Sequence, residues 1–304
     1  MSARTTVLFS LFLAVAAIAQ PKQRPPEDDL ADSIEAWMRE NLDNSVLEAL
    51  QDVDQERVRK FFSEVQKRFA GASIYDLGSL QNAASQLVPL LQQFDETRPY
   101  AVWLQTHFDY FDTANEFRRQ MTTPEQKTLP SVPPLKIQRS VWSTQLKTRP
   151  LPPLAAATTP QLKRIFTSEG VPQELVWVAE VESSFDPKAR SPAGAAGLFQ
   201  LMPATARKLG LSSWPFDERL QPEKSAHAAA KYLRQLHKRF GDWPLALAAY
   251  NAGETRVDTW LSRAKTRSFE SIASRLPAET QMYVPKIEAT IMKREGRSLS
   301  ELRS

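Results

Sequence analysis

The sequence has no cysteine, so neither a disulfide framework nor a thiolate metal site is available to it. Without cysteine, no lipid can be attached at a mature N-terminal thiol. Only 3 histidines occur, and His107, His227 and His237 are scattered without partners at metal-ligand spacing. No metal and no cofactor is therefore expected. Glycine is scarce, at 9 of 304 residues, and none of it forms a phosphate-binding loop. The formal charge of +4 is mild, and no dense Lys/Arg run interleaves with aromatics, which argues against nucleic-acid binding. No apolar run is long enough for a stable membrane span.

What is present sorts into five stretches. Residues 1–19 read as a signal peptide. Arg4 supplies the positive start, Val7 to Ala16 the short apolar run, and Ala17-Ile18-Ala19 the small-x-small cleavage site. Residues 20–30 are Pro-rich and charged, and are expected to be disordered. Residues 30–123 carry helical stripes: Ile34, Trp37, Met38 and Leu42, then Phe61, Phe62, Val65 and Phe69, then Leu77, Leu80, Leu87 and Leu91. The aromatics between Phe94 and Phe117 fit packing better than a sugar-binding face. Residues 124–153 hold seven prolines and read as an extended tether. Within it Leu135, Ile137, Val141 and Trp142 suggest contact with a folded surface. Residues 154–296 form the second helical domain. Thr159-Pro160 is expected to cap its first helix, and further helices are expected at about 172–184, 203–209, 222–240, 244–251, 254–263 and 278–294. A short hairpin is allowed around 196–202. The fold class is all-α.

The second domain is organised around Val171 to Thr205. Its first segment is apolar almost all round, as a buried helix is, yet it carries Glu180 and Glu182 near its C-terminal end. Burial and the negative end of the helix dipole both raise a carboxyl pKa. That is how a Glu becomes a general acid near neutral pH. A Glu in a last helical turn is more commonly solvated. The loop that follows, with Ser191-Pro192, Gly194 and Gly197, changes the balance because it suits a tight polar wall of a cleft. Gln200 and Met202 are expected on one side of a short extended stretch. Glu180 lies about 200 degrees round the helix from Glu182 and is given a structural role, paired with an Arg.

Four motifs carry a resemblance to the lysozyme-like lytic transglycosylases of family one, most similar to the branch of membrane-bound lytic murein transglycosylase D. They are Glu182-Ser183, Gly197 to Thr205 (GLFQLMPAT), Ala249-Tyr250-Asn251-Ala252-Gly253, and Glu279-Thr280-Gln281-Met282-Tyr283-Val284. The resemblance covers about Thr159 to Ile291. It implies a lysozyme-like catalytic domain in which Glu182 is the sole acid and base. It implies substrate-binding roles for Ser191, Gln200, Met202, Tyr250, Asn251 and Tyr283, and supporting roles for Ser183 and Glu279. Phe199 departs from the Met or Trp common in the family and is expected to alter a sugar subsite. The implied substrate is the glycan strand of peptidoglycan, cut between N-acetylmuramic acid and N-acetylglucosamine to leave 1,6-anhydro ends. The implied compartment is the periplasm, without an anchor after signal cleavage. Two alternatives stand beside this reading: a hydrolase of goose-lysozyme type, and a peptidoglycan-binding scaffold without activity. A partner in the cell-wall machinery is left open.

Overall fold

The computed structural model describes residues 55–92, 98–122 and 129–303. The expected signal peptide at 1–19, the segment 20–30 and the stripe from Ile34 to Leu42 lie outside the described residues. Within them the chain is helical, with two isolated bridges, Arg190 with Ala196 and Ala196 with Leu201, in place of a hairpin.

Five helices form a first layer: α1 (Gln55–Ala70), α2 (Gln81–Gln92), α3 (Arg98–Thr106), α4 (Phe108–Met121) and α5 (Leu135–Lys147). Phe62, Val65, Phe69, Leu77, Phe111, Phe117 and Trp142 close its core. The aromatics of 94–117 that fall among the described residues are largely buried there, as expected for packing. A second layer contains α6 (Ala155–Ser168), α7 (Val178–Ser183), α8 (Pro203–Lys208), α9 (Pro222–Phe240), α10 (Trp243–Ala252), α11 (Glu254–Leu261), α12 (Phe269–Ile272) and α13 (Ala278–Glu295). Its boundaries follow local chemistry. Pro222 and Pro244 sit in first turns, where a missing N–H is harmless. Asp242 accepts from the Leu245 N–H and so caps α10.

α13 belongs to both layers. Tyr283, Val284, Ile287 and Ile291 pack into the second core, while Ala278 and Met282 pack into the first. The Ala278 N–H donates to the Gly71 carbonyl at 2.6 Å, and Gln281 Nε2 donates to the Ala72 carbonyl at 2.8 Å. Deepest in the seam is Lys286, with no exposed surface. Its ammonium donates to Asp109 Oδ1 at 2.9 Å and to the Thr106 carbonyl at 3.0 Å, and lies 4.1 Å from the Tyr110 ring centroid. Arg149 donates to the other oxygen of Asp109 at 2.7 Å. A buried cation held by this many partners ties the layers at one register.

Three expectations are corrected. The tether contains helix α5, with Gln138, Val141, Trp142 and Leu146 buried against α13 and the first core. The prolines gather at 130–134 and 150–153, which leaves a proline-free stretch long enough for several turns. Thr159-Pro160 does not begin a helix: α6 starts at Ala155, and Pro160 lies inside it. The missing N–H there faces Ala156, an exposed residue whose carbonyl can turn to water. The segment 172–184 is not one helix. A 3-10 turn at Gln173–Trp177 runs into α7, which stops at Ser183 because Ser184 and Phe185 are left-handed, at φ 51° and 61°.

Candidate active site

α7 delivers Glu182 to a cleft of about 430 Å³. Two residues earlier, Glu180 points elsewhere. It is 2 % exposed, and the Arg294 guanidinium forks onto it at 2.8 and 2.9 Å. The structural role expected for Glu180 is what the geometry gives. Ser183, fully buried, donates to the Ala179 and Leu198 carbonyls at 3.1 and 2.8 Å, and so joins the end of α7 to the loop that faces it.

That loop is braced from behind. Arg219, itself buried, donates to the carbonyls of Gly194 and Leu201 at 2.8 and 2.9 Å and is held by Asp217. Gly197 has φ 80°, and a Cβ there would lie 1.9 Å from the Arg219 carbonyl oxygen, so only glycine fits. Ser191 Oγ accepts from the Ala195 N–H at 3.0 Å, the turn geometry of a Ser-Pro pair, while the residue also lines the cleft. Gln200 is not extended as expected: its φ is 44°. Its Nε2 donates to the carbonyls of Ala189 and Gly197, which holds the backbone in that conformation. Gln200 and Met202 nonetheless both line the cleft. Phe199 does not, and its ring packs on Phe166 in the core, so the departure from the family pattern changes packing and not a sugar subsite.

The facing wall comes from α10 and α13. Tyr250 lines the cleft, and its hydroxyl donates to the Phe199 carbonyl at 2.7 Å. The hydroxyl proton is thus committed, leaving the oxygen lone pairs for a ligand donor. Asn251 donates to Glu279 at 3.1 Å and accepts from Thr280 at 2.6 Å. Both of its groups are fixed, with one N–H still free to donate. Tyr283 was expected on substrate but is 2 % exposed and lies under the cleft. Its hydroxyl donates to Glu182 Oε1 at 2.6 Å. Residues 279, 283 and 286 are spaced three and four apart, which puts Glu279, Tyr283 and Lys286 on one face of α13.

The electrostatics follow from that enclosure. Burial pushes the Glu182 carboxyl up to about 8; the charge of Glu279 adds to the rise, while the Tyr283 hydrogen bond and the Lys286 charge oppose it. Glu279 is also raised, again chiefly by burial, against the Asn251 hydrogen bond and Lys286. Burial drives the Tyr283 and Tyr250 hydroxyls well above their ordinary values, so both remain protonated donors. Glu182 therefore holds its proton near neutrality at an opening that admits a ligand.

The motifs missed Lys286 and the first layer's share of the cleft, made by Gln66, Phe69, Ala70, Trp103 and His107. The helical spacing after Glu279 and Tyr283 was a usable signal for Lys286. No signal placed α1 and α3 at the cleft, because that contact joins segments far apart in the chain. Among the described residues no group of His, Cys, Asp and Glu could hold a metal ion.

The cleft is walled by helices and a braced loop, and both carboxyls on its lining, Glu182 and Glu279, are raised by burial. Residues 163–273 match the family model described as Transglycosylase SLT domain, and this part of the chain is similar to lysozyme-like lytic transglycosylases. The membrane-bound lytic murein transglycosylase D of Escherichia coli (strain K12) is 45% identical over 125 residues, 39% of this chain and 27% of that protein. The soluble lytic murein transglycosylase of the same organism is 35% identical over 137 residues, 42% of this chain and 21% of that protein. The crystal structure of the 70 kDa soluble lytic transglycosylase from Escherichia coli aligns with a TM-score of 0.45 at 20% identity, covering 98% of this chain and 52% of that one. The aligned part spans about a quarter of the length of these curated relatives. No helix among the described residues is long and apolar enough to cross a membrane.

Proposed function

We propose that the protein is a peptidoglycan lytic transglycosylase that cuts the β-1,4 bond between N-acetylmuramic acid and N-acetylglucosamine. The observation that carries this is the Glu182 carboxyl, held at about 8 at the cleft surface by burial and gripped by Tyr283. Glu182 donates its proton to the leaving glycosidic oxygen as the bond to the anomeric carbon breaks. The positive anomeric centre is met by the substrate's own acetamido oxygen. The acetamido N–H can donate to the Tyr250 oxygen, and the free Asn251 N–H can bond a neighbouring sugar oxygen. Glu182, now a carboxylate, takes the proton from the sugar's 6-hydroxyl as that oxygen bonds the anomeric carbon. The attacking hydroxyl is tethered, so its effective concentration reaches on the order of 10⁵ M or more in well-oriented cases. The product is a 1,6-anhydro end. The names of the similar proteins support the murein substrate, and the reading of residues 1–19 supports action in the periplasm.

Glu279 is the other carboxylate on the lining, and it supports a second reading as a hydrolase, which normally works with two carboxyl groups. Its bond to Asn251 favours the role of a brace. Digestion of sacculi in ¹⁸O-labelled water separates the two. Anhydro ends carry no label and weigh one water less. Label at new reducing ends refutes the transglycosylase reading, and absence of any released fragment leaves a scaffold.

A further inference from the structure

One wall of the cleft takes no part in the chemistry just described. Gln66 and Phe69 reach it from α1, Trp103 from α3, and His107 from the junction before α4. All precede residue 163, where the family match begins. Trp103 is half-buried, and its neighbours fix the ring. The His107 ring lies 4.2 Å from it at a tilt of 35°, and Phe62 packs at 6.2 Å. His107 is in turn stacked on Tyr110 at 5.4 Å and 19°, with its Nδ1 2.8 Å from the Trp103 carbonyl. Burial, helped by the Lys286 charge, drives the His107 imidazole down to about 4, so this backing stays uncharged near neutral pH. α3 also packs directly on α7, the helix that ends at Glu182 and Ser183. The indole therefore keeps a set position relative to the acid.

A rigid, uncharged aromatic surface in a largely apolar cleft that also presents Gln66, Gln200, Asn251 and Glu279 suits an amphipathic ligand group. The axial C–H faces of a pyranose are apolar while its rim is hydroxyl and amide, and an amphipathic ring such as indole meets both requirements. Trp103 packs on His107 and Phe62 and still keeps part of its surface on the cleft. We infer that Trp103, presented by the first helical layer, is a saccharide platform that takes the apolar face of an N-acetylhexosamine unit. The cleft then grips its glycan with residues from outside the family domain as well as inside it. This inference rests on the proposed glycan-cleaving function, and its test separates the two.

The full chain carrying Glu182→Gln binds glycan without turning it over. It is titrated with N-acetylglucosamine oligomers, short and long, with and without Trp103→Ala or Trp103→Phe. Trp103→Ala is expected to weaken binding of the long oligomers about tenfold, equivalent to about 1.4 kcal/mol. Trp103→Phe should keep most of the affinity, and the shortest oligomers should lose less. In the parent with its tryptophan intact, the indole N–H resonance of Trp103, assigned by its loss in Trp103→Phe, should shift on adding oligomer. That reading does not depend on the alanine variant folding. Equal binding with and without the indole, or an unmoved resonance in an oligomer-bound parent, overturns the platform and leaves the function standing. A parent that binds no oligomer at all overturns the proposed function and the platform with it.

Discussion

Replacing Tyr283 by Phe removes one oxygen from beneath the acid and little else. The ring is 2 % exposed, its hydroxyl donates to Glu182 Oε1 at 2.6 Å, and Phe fills the same space. A hydrogen bond to a charged group is worth about 1.5–3 kcal/mol. Because it stabilises the carboxylate over the acid, its loss raises the carboxyl pKa. At about 1.36 kcal/mol per unit, the rise is about one to two units above a starting value of about 8. The protonated form already predominates at neutral pH, so the variant gains almost nothing there as an acid. Its proton is held more tightly, so donation to the leaving oxygen slows. The assay is kcat/KM on soluble glycan strands against pH, whose descending limb reports the acid in the free enzyme. That limb should move upward by about one to two units while the rate below it falls modestly. A limb that stays in place, or moves to lower pH, refutes the assignment of Tyr283 as the group that restrains Glu182.

Further outcomes are expected from the same geometry. Glu182→Gln should keep the fold and lose at least about a hundred- to ten-thousandfold in turnover, the usual worth of general acid–base catalysis; near-native turnover in a folded variant would remove Glu182 from the chemistry. The same variant tests the linkage. A carboxyl raised from 4.5 to about 8 keeps in the folded state a proton that the unfolded chain releases, so its contribution is full below about 4.5 and lost as pH rises through about 8. The melting temperature of Glu182→Gln relative to the parent should therefore climb over that window and level off above it. Arg294→Ala leaves Glu180 buried without its partner and should cost about 3–5 kcal/mol by denaturant unfolding, with no movement of the pH limb. A fragment beginning at 154 exposes Ala278 and Met282 and strips Lys286 of Asp109. It should melt at lower temperature and less cooperatively than a chain that keeps the first layer, and an equal melt would show that residues 154–296 fold as an independent domain.

Features that depend on neighbours along the chain were legible before any tertiary contact was known. Pro222, Pro244, Gly210 and Gly241 set helix ends because each acts through its own φ or its missing N–H, and the observed boundaries fall within a residue or two. Glu182 could be singled out locally, because an apolar segment carrying it and a glycine-bearing loop after it favour a shielded carboxyl. Glu180 could be assigned a separate face from the helical repeat alone. Tertiary structure decided which side chains meet across long separations. Tyr283 and Tyr250 are both tyrosines in matching motifs, yet one lies beneath the acid and the other on the cleft, a difference set by how α13 and α10 pack. Phe199 turned to the core because Phe166 is there to receive it. Proline count alone hid α5, whose apolar face is stabilised only by docking on α13 and the first core. The wall built from α1 and α3 depends on the first layer docking on α13, where Lys286 meets Asp109 across 177 residues, a pairing no local pattern encodes because burial of a charge is tolerated only where the fold brings its partner.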